Sequence, residues 1–490
     1  MTDSNTATAS HNWLVKYPVD LVSAITRTAE KHGSQVYIVG GTVRDWLLGI
    51  LARDLDLAVE KDGILFAENL ASLSGGTFVL LDADNGVGRV VWKGYVVDVA
   101  EFRDGAIDII ADLAKRDFTM NAMAVPLLLK EEDLSSVDLI DPCHGKRDLQ
   151  NSLIRSAYQA SFSDDPLRLL RAYRFSSERG FAIELHTEQL IRGQANLIED
   201  VSPERVTYEL NKIMASKRSG IIVEKLAESG LLWHLFPELK KGAGLEQPPS
   251  HHLDVFDHNL ATLSAMEDLQ KYPQNYFPES EIILEYLADD KKKVWLKWAA
   301  LFHDVGKPDA LKIRNERITF YNHDRAGIEI IFSIGKRLKW SNEDMSRISC
   351  LVGNHMWPFH LSNVARTGQV SAKAILKLVK AIDDDLPGLF LLAMADSHAG
   401  QGPGRPPEIE KELADLFFQV NDVVKNKVQP VLTGPKLVTG LDLIDMGLTP
   451  GPLFKEILEN IERAQVVGDV NDRQSALDIV RDLIHDQNLV

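Results

Sequence analysis

Residues 38–56 constrain the fold of this chain more than any other stretch. An apolar run ends in Gly40-Gly41, a hydroxyl and an arginine follow, and Asp54-Leu55-Asp56 comes next. Glycines let a backbone approach a phosphate closely because they lack a Cβ. Two carboxylates at i and i+2 on a strand point to the same face, where they can bind a hard cation such as Mg²⁺. The pattern predicts a strand, a phosphate-binding turn, a short helix and a metal-bearing strand, whereas the glycines alone would indicate only a tight turn.

Length and composition restrict the class of protein. A chain of 490 residues is expected to form about two to four domains. Two cysteines, Cys143 and Cys350, are too few for a disulfide framework, so we expect a reducing, cytoplasmic location. The N-terminus, MTDSNTATASHN, lacks the apolar core of a signal peptide, and no apolar run predicts a membrane span.

The net charge of −17 argues against a globally basic nucleic-acid binder. RNA could still contact local basic stretches, although each of them alone is more simply a solvated helix face. These stretches are Lys217-Arg218, residues 291–293 and Lys336-Arg337.

The first part of the chain predicts an α/β head with a small mixed or antiparallel sheet. Helices are expected over 20–32 and 65–73, and strands over 35–39, 54–59, 77–81, 88–92 and 95–100. Asp98 lies in the last strand, where a charge among apolar residues is costly unless it is paired or coordinated. An open face of an edge strand is the alternative for Asp98. Residues 111–124 predict polar groups followed by an apolar helical tail.

The β signal fades after the head, and the rest of the chain predicts helices. Asp165-Pro166 is typical of a helix start, and the arginines that follow it every third residue form a ribbon on the helix surface. Solvated arginines on an ordinary amphipathic helix are the alternative. Glycine and proline predict linkers near 240–250 and 401–407. We therefore predict an α+β protein with four parts: a small α/β head (1–155), an all-α neck (156–240), a histidine-rich helical domain (251–400) and a helical tail (408–490).

Three candidate metal ligands, Asp54, Asp56 and Asp98, lie on strands of the predicted head sheet. Joining a nucleoside triphosphate to a hydroxyl uses two metal ions about 4 Å apart, and three carboxylates can hold them. The triphosphate would then be held by the residues of the opening motif, which are Gly40, Gly41, Thr42 and Arg44.

Several ordered motifs resemble those of the class II tRNA nucleotidyltransferases and their bacterial poly(A) polymerase relatives. They are Gly40-Gly41-x-Val43-Arg44-Asp45 with Asp54-x-Asp56, residues 116–124 (RDFTMNAMA), and residues 165–175 (DPLRLLRAYRF). The resemblance covers residues 35–240 and implies a nucleotidyltransferase head that uses Mg²⁺ and acts on the tRNA 3′ end.

The resemblance also implies a role for each motif residue. Asp54 and Asp56 would bind metal, with Asp98 as the third carboxylate. A ribose-binding motif contains Arg116, Asp117 and Asn121. Asp165 and Arg168 would read the incoming base without a nucleic-acid template, accepting CTP and ATP, and Arg171 and Arg174 extend this nucleotide-binding helix. An Asp carboxylate accepts from the amino group of cytosine or adenine, whereas uracil and guanine present a carbonyl there.

Two departures from the family pattern favour one activity over another. The poly(A) polymerase relatives carry a strongly basic stretch after the Asp-x-Asp strand, whereas residues 86–92 here contain one arginine, Arg89. The segment between Arg103 and Leu113 is short, as in enzymes that add only CC, whereas full CCA-adding enzymes carry a longer flexible loop. We therefore expect CC addition, with full CCA addition and poly(A) synthesis as alternatives.

A second constellation lies in the histidine-rich domain and resembles the HD phosphohydrolase superfamily. Its predicted metal ligands are His258, His303, Asp304, His323, His355 and Asp396. Imidazole and carboxylate together suit a divalent metal such as Mn²⁺, Ni²⁺ or Mg²⁺. The resemblance implies a phosphatase or phosphodiesterase that could trim RNA 3′ ends, or an HD fold kept as an RNA-binding element. A non-catalytic RNA-binding or nucleotide-sensing protein is the alternative from another class. The sequence leaves the oligomeric state open.

Overall fold

The computed structural model describes residues 16–51, 53–127, 139–278, 280–315 and 317–486. The N-terminal segment considered above therefore lies outside the described residues. The chain forms two compact units: one contains the chain up to Ser202 with Glu228–His234, and the other contains Pro203–Ala227 with the chain from Leu235 onwards. The predicted four-part division stays a prediction.

A six-stranded sheet organises the first unit, with five strands where the sequence predicted them and a sixth that it did not predict. Its strands are β1 Val36–Val39, β2 Asp54–Val59, β3 Thr77–Asp82, β4 Val87–Trp92, β5 Tyr95–Glu101 and β6 Ala124–Pro126. Their order is β3-β4-β5-β2-β1-β6. β2 and β5 pair in parallel, while the other neighbours are antiparallel. The parallel pair brings together two segments that are distant in the sequence.

Helices cover the sheet and continue beyond it. They are α1 Val19–His32, α2 Gly40–Leu47, α3 Gly63–Ser74, α4 Ile109–Leu113, α5 Gly145–Gln150, α6 Ser161–Asp164, α7 Leu167–Arg179 and α8 Leu185–Gln194. Two further strands, β7 Leu153–Ile154 and β8 Ala182–Ile183, form a short parallel pair. α2 begins at Gly40 itself, so the predicted turn and helix are one element.

The helical tail predicted near residue 120 is wrong. A short 3₁₀ turn, Thr119–Asn121, precedes β6, which pairs with β1. Ala124 also bridges Ile140. The apolar run is long enough for either structure, and pairing with a buried strand satisfies its backbone groups.

The rest of the chain is mostly helical. The helices are α9 Pro203–Ala215, α10 Ser219–Glu228, α11 Leu231–Leu235, α12 Pro237–Lys240, α13 Val255–Lys271, α14 Glu281–Tyr286, α15 Asp290–Phe302, α16 Lys307–Ala310, α17 His323–Arg337, α18 Asn342–Asn354, α19 Trp357–Ala365, α20 Ala372–Ile382, α21 Leu386–Ala399, α22 Ile409–Val423, α23 Gln429–Thr433, α24 Gly440–Asp445, α25 Pro452–Val467 and α26 Arg473–Asp486. A short hairpin of β9 Lys312–Arg314 and β10 Arg317–Thr319 interrupts them. The prediction of an all-helical region missed this hairpin, whose turn is made by Asn315 at a φ of 48°.

The last helices form a small core of their own. Its buried residues include Leu443, Ile457, Ile461 and Val480. α22, in contrast, packs on α19 and α21. No helix among the described residues is both long enough and apolar enough to cross a bilayer.

Candidate functional sites

The head carboxylates share one face of the sheet. Asp56 on β2 lies directly opposite Asp98 on β5 in the parallel ladder, and Asp54 precedes Asp56 by two residues. Asp54 is exposed and the other two are half-buried. Burial and the neighbouring charge of Asp98 raise the pKa of Asp56, while Arg116 opposes that shift. The facing pair Asp56 and Asp98 supplies the carboxylate oxygens that a hard divalent cation prefers, but among the described residues the three aspartates do not form a compact set of three ligands.

The two glycines bring the start of α2 against this carboxylate cluster. A Cβ on Gly41 would lie 3.0 Å from Asp56 Oδ2. On Gly40, which has a φ of +61°, a Cβ would lie 2.7 Å from Arg116 Nη1. A Cβ at Gly40 would displace Arg116, and a Cβ at Gly41 would push Asp56 by a few tenths of an ångström, so glycine permits the close approach that the sequence pattern indicated for a phosphate.

Thr42 and Arg44 are buried behind the glycines. The Asp56 N–H donates to Thr42 Oγ1 at 2.7 Å, and the Thr42 hydroxyl donates to the Asp54 carbonyl at 3.3 Å. Thr42 thus fixes the backbone that carries both aspartates. Arg44 donates to Asn121 Oδ1 at 2.7 Å.

A chain of hydrogen bonds connects Arg44 to α7, the helix that carries Arg168, Arg171 and Arg174. Asn121 Nδ2 donates to Asp117 Oδ1 at 3.0 Å, and Arg171 Nη2 donates to Asp117 Oδ2 at 2.7 Å. Burial favours the neutral form of Asp117, but Arg171 and Asn121 outweigh it and hold the pKa of that carboxyl well below its usual range. Asp117 therefore stays charged and links the predicted ribose-binding motif to α7.

Asp112 was missed by the sequence reasoning. It is buried and accepts from Arg116 Nη2 at 3.0 Å and from Arg103 Nη1 at 3.0 Å. Burial and the charge of Arg103 lower the pKa of Arg116 to about 10. The spacing of Asp112 and Arg116 by four residues is the sequence signal that could have predicted this ion pair.

The predicted base-reading pair lies at the start of α7. Arg168 Nε is 3.9 Å from Asp165 Oδ2, and Arg168 Nη1 donates to Tyr158 Oη at 3.0 Å and to Ser161 Oγ at 3.0 Å. Asp165 precedes the helix rather than capping it through an N3 bond, since its carboxylate accepts from the Leu167 N–H at 3.3 Å.

A cavity of about 480 Å³ gathers most of the predicted head residues. They are Gly40, Gly41, Arg44, Asp56, Asp98, Arg116, Asp117, Asn121, Asp165, Arg168, Arg171 and Arg174. Asp54 and Thr42 lie outside the lining, and Arg103 and Phe175 join it. The guanidinium of Arg174 lies 4.2 Å from the centroid of the Phe175 ring. Carboxylates at one wall and arginines along another suit a metal-bound nucleoside triphosphate.

The six residues of the second constellation also come together. Two sets of ligand atoms share Asp304, one with His258 and His303 and the other with His323 and His355, and the atoms of each set lie within 4.8 Å of one another. Asp396 Oδ1 is 3.0 Å from His258 Nε2, beside the first set.

Backbone carbonyls orient three of these imidazoles. The Nδ1 atoms of His303, His323 and His355 lie 3.0, 2.8 and 2.6 Å from carbonyls three residues earlier. Because each Nδ1 donates its hydrogen, each Nε2 carries a lone pair that faces the cluster. The Nε2 atoms of His323 and His355 are only 3.1 Å apart. Lone pairs this close require a shared cation or proton, so the donor set fits one or two divalent metals.

Lys307 and His251 complete this site and were not predicted. Lys307 forms a buried ion pair with Asp304 and donates to Gln247 Oε1 at 2.6 Å. Burial opposes ionisation of Asp304, but His303 and Lys307 hold the pKa of that carboxyl well below its usual range. Burial and the charge of Lys307 lower the pKa of His251 to about 3. The site opens into a cavity of about 660 Å³.

The head arrangement, a carboxylate-bearing sheet beside an arginine-lined cavity, is that of a nucleotidyltransferase. Family profiles agree along the chain: a poly A polymerase head domain matches residues 36–155, a probable RNA and SrmB-binding site of polymerase A matches 180–242, and an HD domain matches 255–388.

Curated relatives match most of the chain. An A-adding tRNA nucleotidyltransferase of Deinococcus radiodurans is 32% identical, with 90% of this chain and 93% of that protein covered. An A-adding enzyme of Halalkalibacterium halodurans is 26% identical over 95% and 93%, and a multifunctional CCA protein of Pseudomonas fluorescens is 29% identical over 71% and 80%. The chain belongs to the class II tRNA nucleotidyltransferase family, with a C-terminal HD domain.

Solved structures share the fold over nearly the full length. A CCA-adding enzyme solved with CTP has a TM-score of 0.65 at 24% identity, with 97% of this chain and 98% of that chain covered. A Thermotoga maritima CCA-adding enzyme complexed with tRNA has a TM-score of 0.61 at 24% identity over the same shares. These structures confirm the predicted fold class, and the curated relatives confirm the predicted nucleotidyltransferase activity.

Proposed function

We propose that this enzyme adds CMP from CTP to the tRNA 3′ end, completing the CC step without a nucleic-acid template. The observation that carries the CC assignment is the segment after β5. It is short, and Asp112 binds Arg103 through both the Arg103 N–H and the Arg103 side chain, each at 3.0 Å. A segment fixed in this way has little freedom to reshape the cavity when the incoming base changes from C to A.

The chain supplies ligands, charge and orientation for this reaction. Asp54, Asp56 and Asp98 would hold Mg²⁺, which supplies charge neutralisation at the triphosphate and lowers the pKa of the attacking 3′-hydroxyl when it is bound. Arg116 and Arg171, which line the same cavity, would neutralise phosphate charge. Thr42 keeps Asp54 and Asp56 in register through its two backbone hydrogen bonds.

Asp165 and Arg168 would select the base. Arg168 is held by Tyr158 and Ser161, so its guanidinium is fixed before a nucleotide enters. The Asp165 carboxylate can accept from an amino group but not from the carbonyl of uracil. A mismatched hydrogen-bonding edge costs about 1–3 kcal/mol, which is sufficient to favour CTP over UTP.

Addition of the terminal A is the second candidate, because relatives at 32% and 26% identity are A-adding enzymes. Cytosine and adenine both carry an amino group that Asp165 can bind. Asp165 and Arg168 alone therefore do not distinguish C addition from A addition. Only the short segment after β5 favours CC addition.

One assay separates the candidates. The enzyme is incubated with CTP and ATP and with tRNA transcripts that end before C74, at C74 or at C75, and the products are sequenced. Extension of the first two transcripts that stops at C75 supports CC addition. Efficient A addition to the C75 transcript refutes it, and long A tails on unrelated RNA would indicate a poly(A) polymerase.

An Asp56→Ala variant should lose all transfer while still binding tRNA, and transfer that persists would exclude the proposed carboxylate site.

We also propose that the HD site is a metal-dependent phosphohydrolase for RNA 3′-terminal phosphates. Two ligand sets that share Asp304, with the Lys307 ammonium beside them, support binding of a phosphate group. Hydrolysis of 2′,3′-cAMP with Ni²⁺, Mn²⁺, Co²⁺ or Mg²⁺ tests this. His303→Ala should abolish hydrolysis while CMP incorporation persists. Absence of hydrolysis with all four metals would leave only a structural or RNA-binding role for this domain.

A further inference from the structure

One arginine in the head is bound to a proposed metal ligand. Arg89 on β4 lies directly opposite Asp98 on β5 in the antiparallel ladder. Arg89 Nε donates to Asp98 Oδ1 at 2.7 Å and Arg89 Nη2 donates to Asp98 Oδ2 at 2.8 Å. Both oxygens of the third carboxylate are therefore engaged by a cation of the protein itself.

The position of Arg89 gives this ion pair a consequence for metal binding. Asp98 faces Asp56 on its other side, so the strand order places Arg89, Asp98 and Asp56 in one row. Arg89 does not line the nucleotide cavity, whereas Asp98 does. A planar guanidinium fork occupies the same carboxylate lone pairs that a hard cation would use. Its positive charge also lowers the attraction of the site for a second cation.

We infer that Arg89 is a positioning residue that holds Asp98 and competes with divalent metal for its carboxylate. The free head then binds metal weakly and takes it up together with a nucleoside triphosphate, whose negative charge offsets Arg89. This inference rests on the proposed metal role of Asp56 and Asp98.

Manganese binding to the full-length chain tests the inference without relying on activity. Every variant carries Asp304→Asn, which removes the carboxylate shared by both HD ligand sets. Free Mn²⁺ is measured by electron paramagnetic resonance without nucleotide and with a nonhydrolysable CTP analogue. Arg89→Gln should bind Mn²⁺ about fivefold more tightly than the parent without nucleotide. The difference should narrow when the analogue is present.

Matched variants make the result specific. Lys93→Gln removes one positive charge from the β4–β5 turn, where the ammonium of Lys93 stacks on Trp92, and should leave Mn²⁺ affinity unchanged. Arg89→Lys keeps the charge and loses the fork, so its affinity should lie between those of the parent and Arg89→Gln. If thermal denaturation shows that Arg89→Gln does not fold, the Mn²⁺ affinity of Arg89→Lys tests the inference instead.

The outcomes distinguish the role of Arg89 from the existence of the head metal site. Equal Mn²⁺ affinity of the parent and the Arg89 variants overturns the inference, and so does weaker binding in those variants, since Arg89 would then help to build the site. An Asp56→Asn variant that loses no Mn²⁺ would refute the proposed head metal site itself.

Discussion

Replacing Gly41 by alanine should slow nucleotide transfer without unfolding the protein. The new Cβ would lie 3.0 Å from Asp56 Oδ2 and 3.6 Å from Arg44 Nη2. Ordinary contact begins at 3.4 Å, so the carboxylate must move by about 0.4 Å. Carboxylate–metal distances tolerate about 0.2 Å. Because a misplacement of 1 Å can cost about 100-fold, we expect kcat to fall by about tenfold.

The same substitution should change stability little. Gly41 lies inside α2 without a positive φ, and alanine in a helix is favoured over glycine by about 0.5–1 kcal/mol. That gain offsets part of the steric cost, so the free energy of unfolding should change by less than about 1 kcal/mol. Single-turnover CMP incorporation at saturating CTP, tRNA and Mg²⁺ measures the rate, and urea denaturation measures stability.

Gly49→Ala is the matched control for Gly41→Ala. Gly49 has a φ of +77°, and a Cβ there would meet no atom of the described residues within 4 Å beyond its chain neighbours. Alanine at this position therefore incurs backbone strain alone. It should lower stability by about 1–2 kcal/mol and leave the rate unchanged. A Gly41→Ala enzyme as fast as the wild type would refute the reasoning, because the close approach to Asp56 would then have no catalytic consequence.

Three further substitutions test other parts of the molecule. Asp117→Asn leaves Arg171 without its carboxylate and should lower the free energy of unfolding by about 1–3 kcal/mol in urea denaturation at pH 7. Because the folded-state pKa of Asp117 is depressed, its contribution is present above about pH 4 and is lost as pH falls further. The variant should therefore show a flatter loss of stability in acid, and equal slopes would contradict this. Asp165→Asn should raise incorporation of UTP relative to CTP by about tenfold, and an unchanged ratio would remove Asp165 from base selection. Leu443→Ala should destabilise the C-terminal core by about 2–5 kcal/mol, seen as faster amide hydrogen exchange in α25 and α26; protection equal to the wild type would mean that this core does not depend on Leu443.

The local elements of the head were predictable because each carries its own signal. Apolar runs of strand length, glycine stops and the Asp165-Pro166 start set the elements near residues 36–39, 54–59 and 167–179. The facing of Asp56 and Asp98 was not predictable from pattern, since it depends on a parallel pairing between distant segments. The family resemblance is what assigns both residues to one site.

The errors have physical causes as well. The tail that ends at Ala124 was predicted as helical because a short apolar run has no decisive period. Pairing with β1 makes its last residue part of a strand instead. Arg89 was counted as a basic residue of its segment, but its partner Asp98 lies on the next strand and becomes visible only in the register. The six HD residues were found by their order, whereas Lys307 and Gln247 needed the folded structure.

Asp304 belongs to both ligand sets of the HD site, and this sharing limits how the site can change. Here a substitution at Asp304 weakens both sets at once, whereas loss of His258 or His355 affects one set directly. An ion held by either set also changes the charge that Asp304 offers to the other, so the two occupancies are thermodynamically coupled. If both sets hold a metal, substitution of a histidine would remove one ion, whereas substitution of Asp304 alone would weaken the binding of both.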